Sequence, residues 1–168
     1  DQKKLDEALT YYKKSIQINP DYAEGYNNLG SVYYKLKKFD ESISNYNKAI
    51  KIKPNFSKAL NNLGVTFKEI GKLNESIESY QKAIKINPDY AEVYNNFGNL
   101  LYESDDIENA IINYQKAIKI NPDFAEVYSN LGDLLREIGK VDEAKKCFNK
   151  LIALDSKNIS YKINNKLL

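Results

Sequence analysis

Residues 57–90 read SKALNNLGVTFKEIGKLNESIESYQKAIKINPDY, and residues 91–124 read AEVYNNFGNLLYESDDIENAIINYQKAIKINPDF. Laid over each other, the two stretches bring Asn61 and Asn62 onto Asn95 and Asn96, Gly64 onto Gly98, Tyr80 onto Tyr114, and Pro88 onto Pro122. The same register of 34 residues runs outward through Pro20 and Pro54, through Gly30 and Gly132, and through Leu29, Leu63, Phe97 and Leu131. Small residues recur at Ala49, Ala83 and Ala117 and at Ala8, Ser42, Ser76, Ala110 and Ala144; aromatic residues recur at Tyr12, Tyr46, Tyr80, Tyr114 and Phe148. A fixed period of this length, without insertion or deletion, is the mark of stacked supersecondary units. It divides the chain, read as one domain, into 1–22 (the second half of a repeat), full repeats 23–56, 57–90, 91–124 and 125–158, and a tail 159–168.

Each unit reads as two helices. Tyr26, Leu29, Gly30 and Tyr33 lie at i, i+3, i+4 and i+7, and Ile43, Tyr46 and Ile50 continue that spacing in the second half, which is the period of one helix face. Eight helices are expected over 23–154, one near 6–18, and a last one within 157–167. Ile159, Ile163 and Leu167 of that last helix would cover the final repeat. Asp21, Asn55, Asp89 and Asp123 follow the prolines, and three of them have Glu three residues on (Glu24, Glu92, Glu126), the spacing of a capping box that Lys58 breaks. Second helices are expected to be capped by Asp6, Asp40, Asn74, Asp106 and Asp142. Gly71 and Gly139 suit a left-handed turn between the helices, a place that Lys37 and Asp105 hold less comfortably. Helices of about 13 residues are marginal alone in water, so stacking between units has to supply the core.

Composition narrows the chemistry. The 168 residues hold 25 Lys plus Arg against 23 Asp plus Glu, no His, no Trp, no Met and a single Cys. A net charge of +2 with the signs interleaved provides no basic field for a phosphate backbone, so nucleic acid is not an expected partner. Without His the usual general base and the commonest metal ligand are missing. No phosphate-cradling glycine loop is present, and no catalytic residue, metal or cofactor is expected. Cys147 allows no internal disulfide, as in a reducing compartment, and falls mid-helix as an inert thiol. No apolar run approaches the length that spans a bilayer, and the N-terminus has no signal pattern. The expectation is an intracellular chain, cytoplasmic or nuclear, with no membrane partner. It opens at Asp1 without Met, as a piece of a longer protein would.

The pattern of a Tyr, Leu-Gly, an aromatic, a small residue, an aromatic, an Ala and a Pro in each 34 residues resembles the tetratricopeptide repeat over roughly residues 6–158. Leu151 and Ser156 depart from it in the last unit, where the small residue and the proline belong. The resemblance implies an all-α fold, a right-handed superhelical solenoid of antiparallel helix pairs with the first helices lining a concave groove. It also implies that a protein or extended peptide binds there. Self-association by stacking of exposed terminal repeats is a further expectation. The groove candidates are a ladder of Asn28, Asn62, Asn96 and Asn130, with Asn27, Asn61, Asn95 and Ser129 beside it and Asn99 and Asp133 on the same face. An amide offers donors and an acceptor, so an unbroken column of Asn suits a peptide backbone read without regard to its side chains. Exposed as it is expected to be, the trio Asn62, Asn96 and Asn130 should be replaceable by Ala with little effect on the fold. Groove charge is uneven: Glu24, Lys35, Lys58, Lys68 and Glu69 sum to +1, whereas Glu92, Glu103, Glu126, Asp133, Arg136 and Glu137 sum to −4.

The runs Tyr-Asn-Asn-Leu-Gly, Tyr-Gln-Lys-Ala-Ile and Asn-Pro-Asp-Tyr-Ala-Glu are similar to the repeat arrays of nucleocytoplasmic O-GlcNAc transferases and SPINDLY-type glycosyltransferases. That narrower resemblance implies a substrate-recruiting role for the asparagine ladder, with catalysis elsewhere. The alternative is a scaffold or adaptor subunit without an enzymatic domain. The carboxylate clamp of chaperone-binding repeats is not matched. Asn27, Ser31, Glu92 and Asn96 stand where it would want Lys, Asn, Lys and Arg, and only Asn62 fits.

Overall fold

The computed structural model describes the backbone of residues 2–164 and the side chains of residues 3–154. Among these residues there are nine α-helices and no strand. They fall into two compact units, residues 1–88 and 89–168. The first holds α1 (Gln2–Ile18), α2 (Ala23–Lys35), α3 (Phe39–Ile52), α4 (Ser57–Glu69) and α5 (Leu73–Ile86). The second holds α6 (Ala91–Glu103), α7 (Ile107–Ile120), α8 (Ala125–Glu137) and α9 (Val141–Asn164). Helices pair as hairpins, α2 with α3, α4 with α5, α6 with α7 and α8 with α9; α1 packs on α2, α3 on α4, and α7 on α8. The fold is all-α and built of repeated helical hairpins, as the period requires.

What locks each hairpin is a glycine under an aromatic ring. A Cβ at Gly30 would lie 2.7 Å from the ring of Tyr46, and one at Gly64, Gly98 or Gly132 would come equally close to Tyr80, Tyr114 or Phe148. The three tyrosine rings are at most 2% exposed and cannot swing aside. The small columns serve the same approach: Ala49, Ala83, Ala110 and Ala117 are wholly buried. Ser42 and Ser76 go further, donating Oγ–H to the backbone carbonyls of Gly30 at 2.9 Å and Gly64 at 2.8 Å. These bonds tie the second helix of a hairpin to the first.

The turn inside each hairpin is one motif repeated four times. Lys37, Gly71, Asp105 and Gly139 have φ of 57°, 74°, 63° and 80°. The following amide reaches back to close the last turn, Lys38 N–H to Tyr33 C=O at 2.9 Å and Lys140 N–H to Leu135 C=O at 2.8 Å, the Schellman arrangement. Lys37 and Asp105 therefore accept a backbone conformation that glycine holds at lower cost.

The helix starts differ from expectation. The first helices begin two residues after Asp21, Asn55, Asp89 and Asp123, at N-caps Tyr22, Phe56, Tyr90 and Phe124 that make no side-chain cap bond. Before α2 and α8 the preceding asparagine takes over. Asn19 and Asn121 accept from Asp21 N–H and Asp123 N–H through Oδ1 at 3.2 Å, a local turn that competes with capping. The glutamates of the expected boxes point elsewhere: Glu24 to Lys53 at 2.8 Å, Glu92 to the Tyr90 hydroxyl at 2.6 Å, and Glu126 to Asn95 at 3.0 Å. Of the expected second-helix caps Asp106 acts as one, accepting from Asn109 N–H at 3.4 Å. Asp40, Asn74 and Asp142 lie within the first turn and Asp6 within α1.

Helix α9 continues without a break to Asn164, where a separate last helix was expected. Ser156 stands in place of the proline that would remove a backbone donor, so the helical ladder continues. The cap expected from Ile159, Ile163 and Leu167 lies outside the residues whose side chains are described.

Gly98→Ala should lower stability by about 1–3 kcal/mol through overpacking on Tyr114, and Leu63→Ala, at a site 5% exposed, by about 2–5 kcal/mol through its cavity. Urea melts of both variants that overlay the parent would exclude these contacts from the core.

Candidate binding face of the first helices

Neighbouring residues on a helix project about 100° apart, so two consecutive asparagines cannot share one environment. Asn27, Asn61 and Asn95 are 2%, 4% and 1% exposed, which corrects their expected place beside the ladder on the groove surface. Asn28, Asn62, Asn96, Asn130, Asn99 and Asp133 are half-buried. A buried amide needs partners, and the ladder provides them. In the first unit Asn62 Nδ2 donates to Asn27 Oδ1 at 3.0 Å, and Asn27 Nδ2 donates to Asn28 Oδ1 at 3.3 Å. In the second, Asn130 Nδ2 donates to Asn95 Oδ1 at 3.0 Å and to Asn99 Oδ1 at 3.1 Å, while Asn95 Nδ2 donates to Glu126 Oε1 at 3.0 Å. The structure thus joins Asn27, Asn28 and Asn62 in one cluster and Asn95, Asn99 and Asn130 in another. Each clasps the first helices of successive repeats.

Hydroxyls complete these clusters. The Tyr114 hydroxyl donates to Asn99 Oδ1 at 2.7 Å, and the Tyr46 hydroxyl to Ser31 Oγ at 3.1 Å. Burial, then the neighbouring Tyr102, Glu103 and Glu126, push the Tyr114 pKa up and keep it a donor. Burial likewise raises Tyr46, against the opposing effect of Ser31. Sequence reasoning missed these tyrosine hydroxyls and treated Glu126 as surface charge. The available signal was the pairing of two columns, Tyr46 with Ser31 and Tyr114 with Asn99, each 15 residues apart.

The acidic side chains of this face are engaged internally. Asp133 pairs with Arg136 at 2.8 Å, and Glu137 accepts from the Tyr102 hydroxyl, a bond that raises the Tyr102 pKa before any other influence. In the first unit the hydrogen bond from Lys53 holds the Glu24 carboxyl below the usual carboxylate value. Asn28 borders a cavity of about 520 Å³ with Tyr12, Ser31 and Lys35; a larger one of about 820 Å³ lies along α1, away from the ladder. Cys147 is 8% exposed, and burial, with Glu143 second, raises its pKa. Among the described residues no cluster is placed to hold a metal ion, and no helix is long and apolar enough to cross a membrane.

Hairpins locked by glycine under an aromatic ring, turned at one left-handed residue and clasped by amides, define a helical-repeat protein. The chain belongs to the tetratricopeptide repeat family. Tetratricopeptide repeat models match residues 23–56, 45–78 and 125–158, and the TPR repeat model matches 1–37, 66–105 and 98–139. Proteins of this family mediate protein–protein interaction. No curated protein matches the chain. A solved structure of MamA is 28% identical with a TM-score of 0.79, covering 95% of this chain and 94% of that one. MamA from Desulfovibrio magneticus RS-1 is 20% identical with a TM-score of 0.75, covering 91% and 86%, a likeness of fold alone. PilF of Pseudomonas aeruginosa is 28% identical with a TM-score of 0.74, covering 80% of this chain and 61% of that one. With 420 solved chains matching, the fold specifies an architecture and leaves its ligand to the side chains.

The clasp overturns the expectation that ladder asparagines are free of structural duty. Asn130→Ala leaves the buried Asn95 carbonyl oxygen without its donor and should cost about 1–3 kcal/mol, whereas Asn149→Ala, at an exposed site of α9, should stay within about 0.5 kcal/mol. Thermal melts of equal size for the two would show that the clasp contributes nothing.

Proposed function

We propose that the chain binds extended polypeptide on the half-buried amide face that the first helices form within each unit, as a scaffold or adaptor subunit inside the cell. The observation that carries this reading is the ladder itself. Asn62 and Asn130 are each held by a buried amide from the preceding repeat, so a ligand meets polar groups already fixed in place, and little ordering cost remains. The scaffold setting is supported by the match to MamA along 94% of that chain. A substrate-recruiting array of an O-GlcNAc transferase-like enzyme is the second reading, favoured by Tyr-Asn-Asn-Leu-Gly at 26–30 together with the ladder.

A ligand obtained by pull-down should bind the Asn28→Ala, Asn62→Ala double variant about tenfold or more weakly than the parent, under conditions where circular dichroism shows both folded. Lys82→Ala, on the exposed second-helix side, should change nothing, and the loss should hardly depend on salt because amides are neutral. Equal affinity of double variant and parent would remove the amide face from the binding surface.

A further inference from the structure

We infer that Glu126 and Asn95 are positioning residues that turn the Asn130 carboxamide so that its carbonyl oxygen is the group left for a ligand, making this part of the face specific for hydrogen-bond donors such as the N–H of an extended peptide. This rests on the binding reading above and names the chemistry received there.

The polarity follows from one group that can only accept. An ionised carboxylate has no proton to donate, so the contact of Glu126 Oε1 with Asn95 at 3.0 Å must use Asn95 Nδ2. The oxygen end of Asn95 is then turned toward α8, where it accepts from Asn130 Nδ2 at 3.0 Å. The second hydrogen on that nitrogen goes to Asn99 Oδ1 at 3.1 Å, an oxygen that also receives the Tyr114 hydroxyl at 2.7 Å. Both amide hydrogens of Asn130 are consumed, and among the described residues its Oδ1 accepts nothing. Asn95 is 1% exposed, and reversing it would set its oxygen against the Glu126 carboxylate.

The first unit supplies the contrast. Lys58 stands at the repeat position of Glu126 and can only donate. Asn27 Nδ2 turns instead to Asn28 Oδ1 at 3.3 Å, and Asn62 spends a single hydrogen on Asn27. Asn62 therefore keeps an N–H as well as its oxygen, and its polarity has no charged anchor. Between α4 and α8 the second residue of the helix, Lys58 or Glu126, marks the difference in what the ladder amide offers.

Side-chain amide hydrogen exchange, read by NMR on the full chain, tests this without a ligand. Asn130 NH₂ should exchange about tenfold or more slowly than the exposed Asn149 NH₂. Glu126→Lys, which introduces the residue of the first unit at an exposed site that does not touch Asn130, should speed Asn130 exchange. Glu126→Gln, which can still accept, should restore it. A merely structural Glu126 would shift the melting temperature and leave Asn130 exchange unmoved; that result, or Asn130 exchanging as fast as Asn149 in the parent, would overturn the assignment. A binding arm uses a fluorescent extended peptide of glycine, serine and threonine and the same peptide N-methylated along its backbone. The parent should prefer the unmethylated peptide by about tenfold or more, and Glu126→Lys should narrow that preference. Equal binding of the two peptides would overturn the donor specificity. Binding of neither, with slow Asn130 exchange intact, would tell against the peptide-binding reading while the positioning role stood.

Discussion

The distance of closest approach between paired helices depends on an aromatic ring lying where a Cβ would be. Gly30 under Tyr46, Gly64 under Tyr80, Gly98 under Tyr114 and Gly132 under Phe148 bring the helix axes close enough for Ser42 and Ser76 to reach the glycine carbonyls. The same contact aims the ring. With the ring seated against glycine, the Tyr46 hydroxyl arrives at Ser31 and the Tyr114 hydroxyl at Asn99. A packing device thereby delivers a hydrogen-bond donor to the amide face of the first helices. The last repeat keeps the ring as Phe148 without the hydroxyl, and there Asp133 pairs with Arg136 instead.

The hairpins and their turns were legible because each rests on a steric demand that few residues satisfy. Only small residues fit under a ring, and the left-handed turn is cheap for glycine alone, so Gly71 and Gly139 marked it and its period located Lys37 and Asp105. The helix caps were not legible, because Asp, Asn and Glu have several ways to satisfy nearby backbone and side chains. Asn19 and Asn121 took the turn N–H groups, and the glutamates found Lys53, Tyr90 and Asn95. The missing proline at Ser156 pointed to a change in the last repeat, but its consequence, a helix running on to Asn164, depends on nothing else stopping it.

The candidate binding face was half legible. Four asparagines in one 34-residue register mark an ordered column. The neighbouring column, Asn27, Asn61 and Asn95, reads identically in sequence yet is buried. Asparagine is on average a surface residue, and nothing local distinguishes an amide that meets solvent from one that meets another amide. The distinction is set across 35 residues, by Asn62 reaching Asn27 and Asn130 reaching Asn95.

A column of identical residues need not be a column of identical functions. An amide has a donor end and an acceptor end, and what it offers a ligand is whichever end its neighbours leave. In the second unit Glu126 fixes the answer through Asn95; in the first, Lys58 cannot. Recognition by such a ladder therefore varies from repeat to repeat while the ladder residue stays the same. The variation is written in the exposed second position of the first helix, which packing leaves free to change. A repeat protein of this construction can acquire a new ligand preference through surface charges at positions such as 58 and 126, without altering a residue of its core or of the ladder itself.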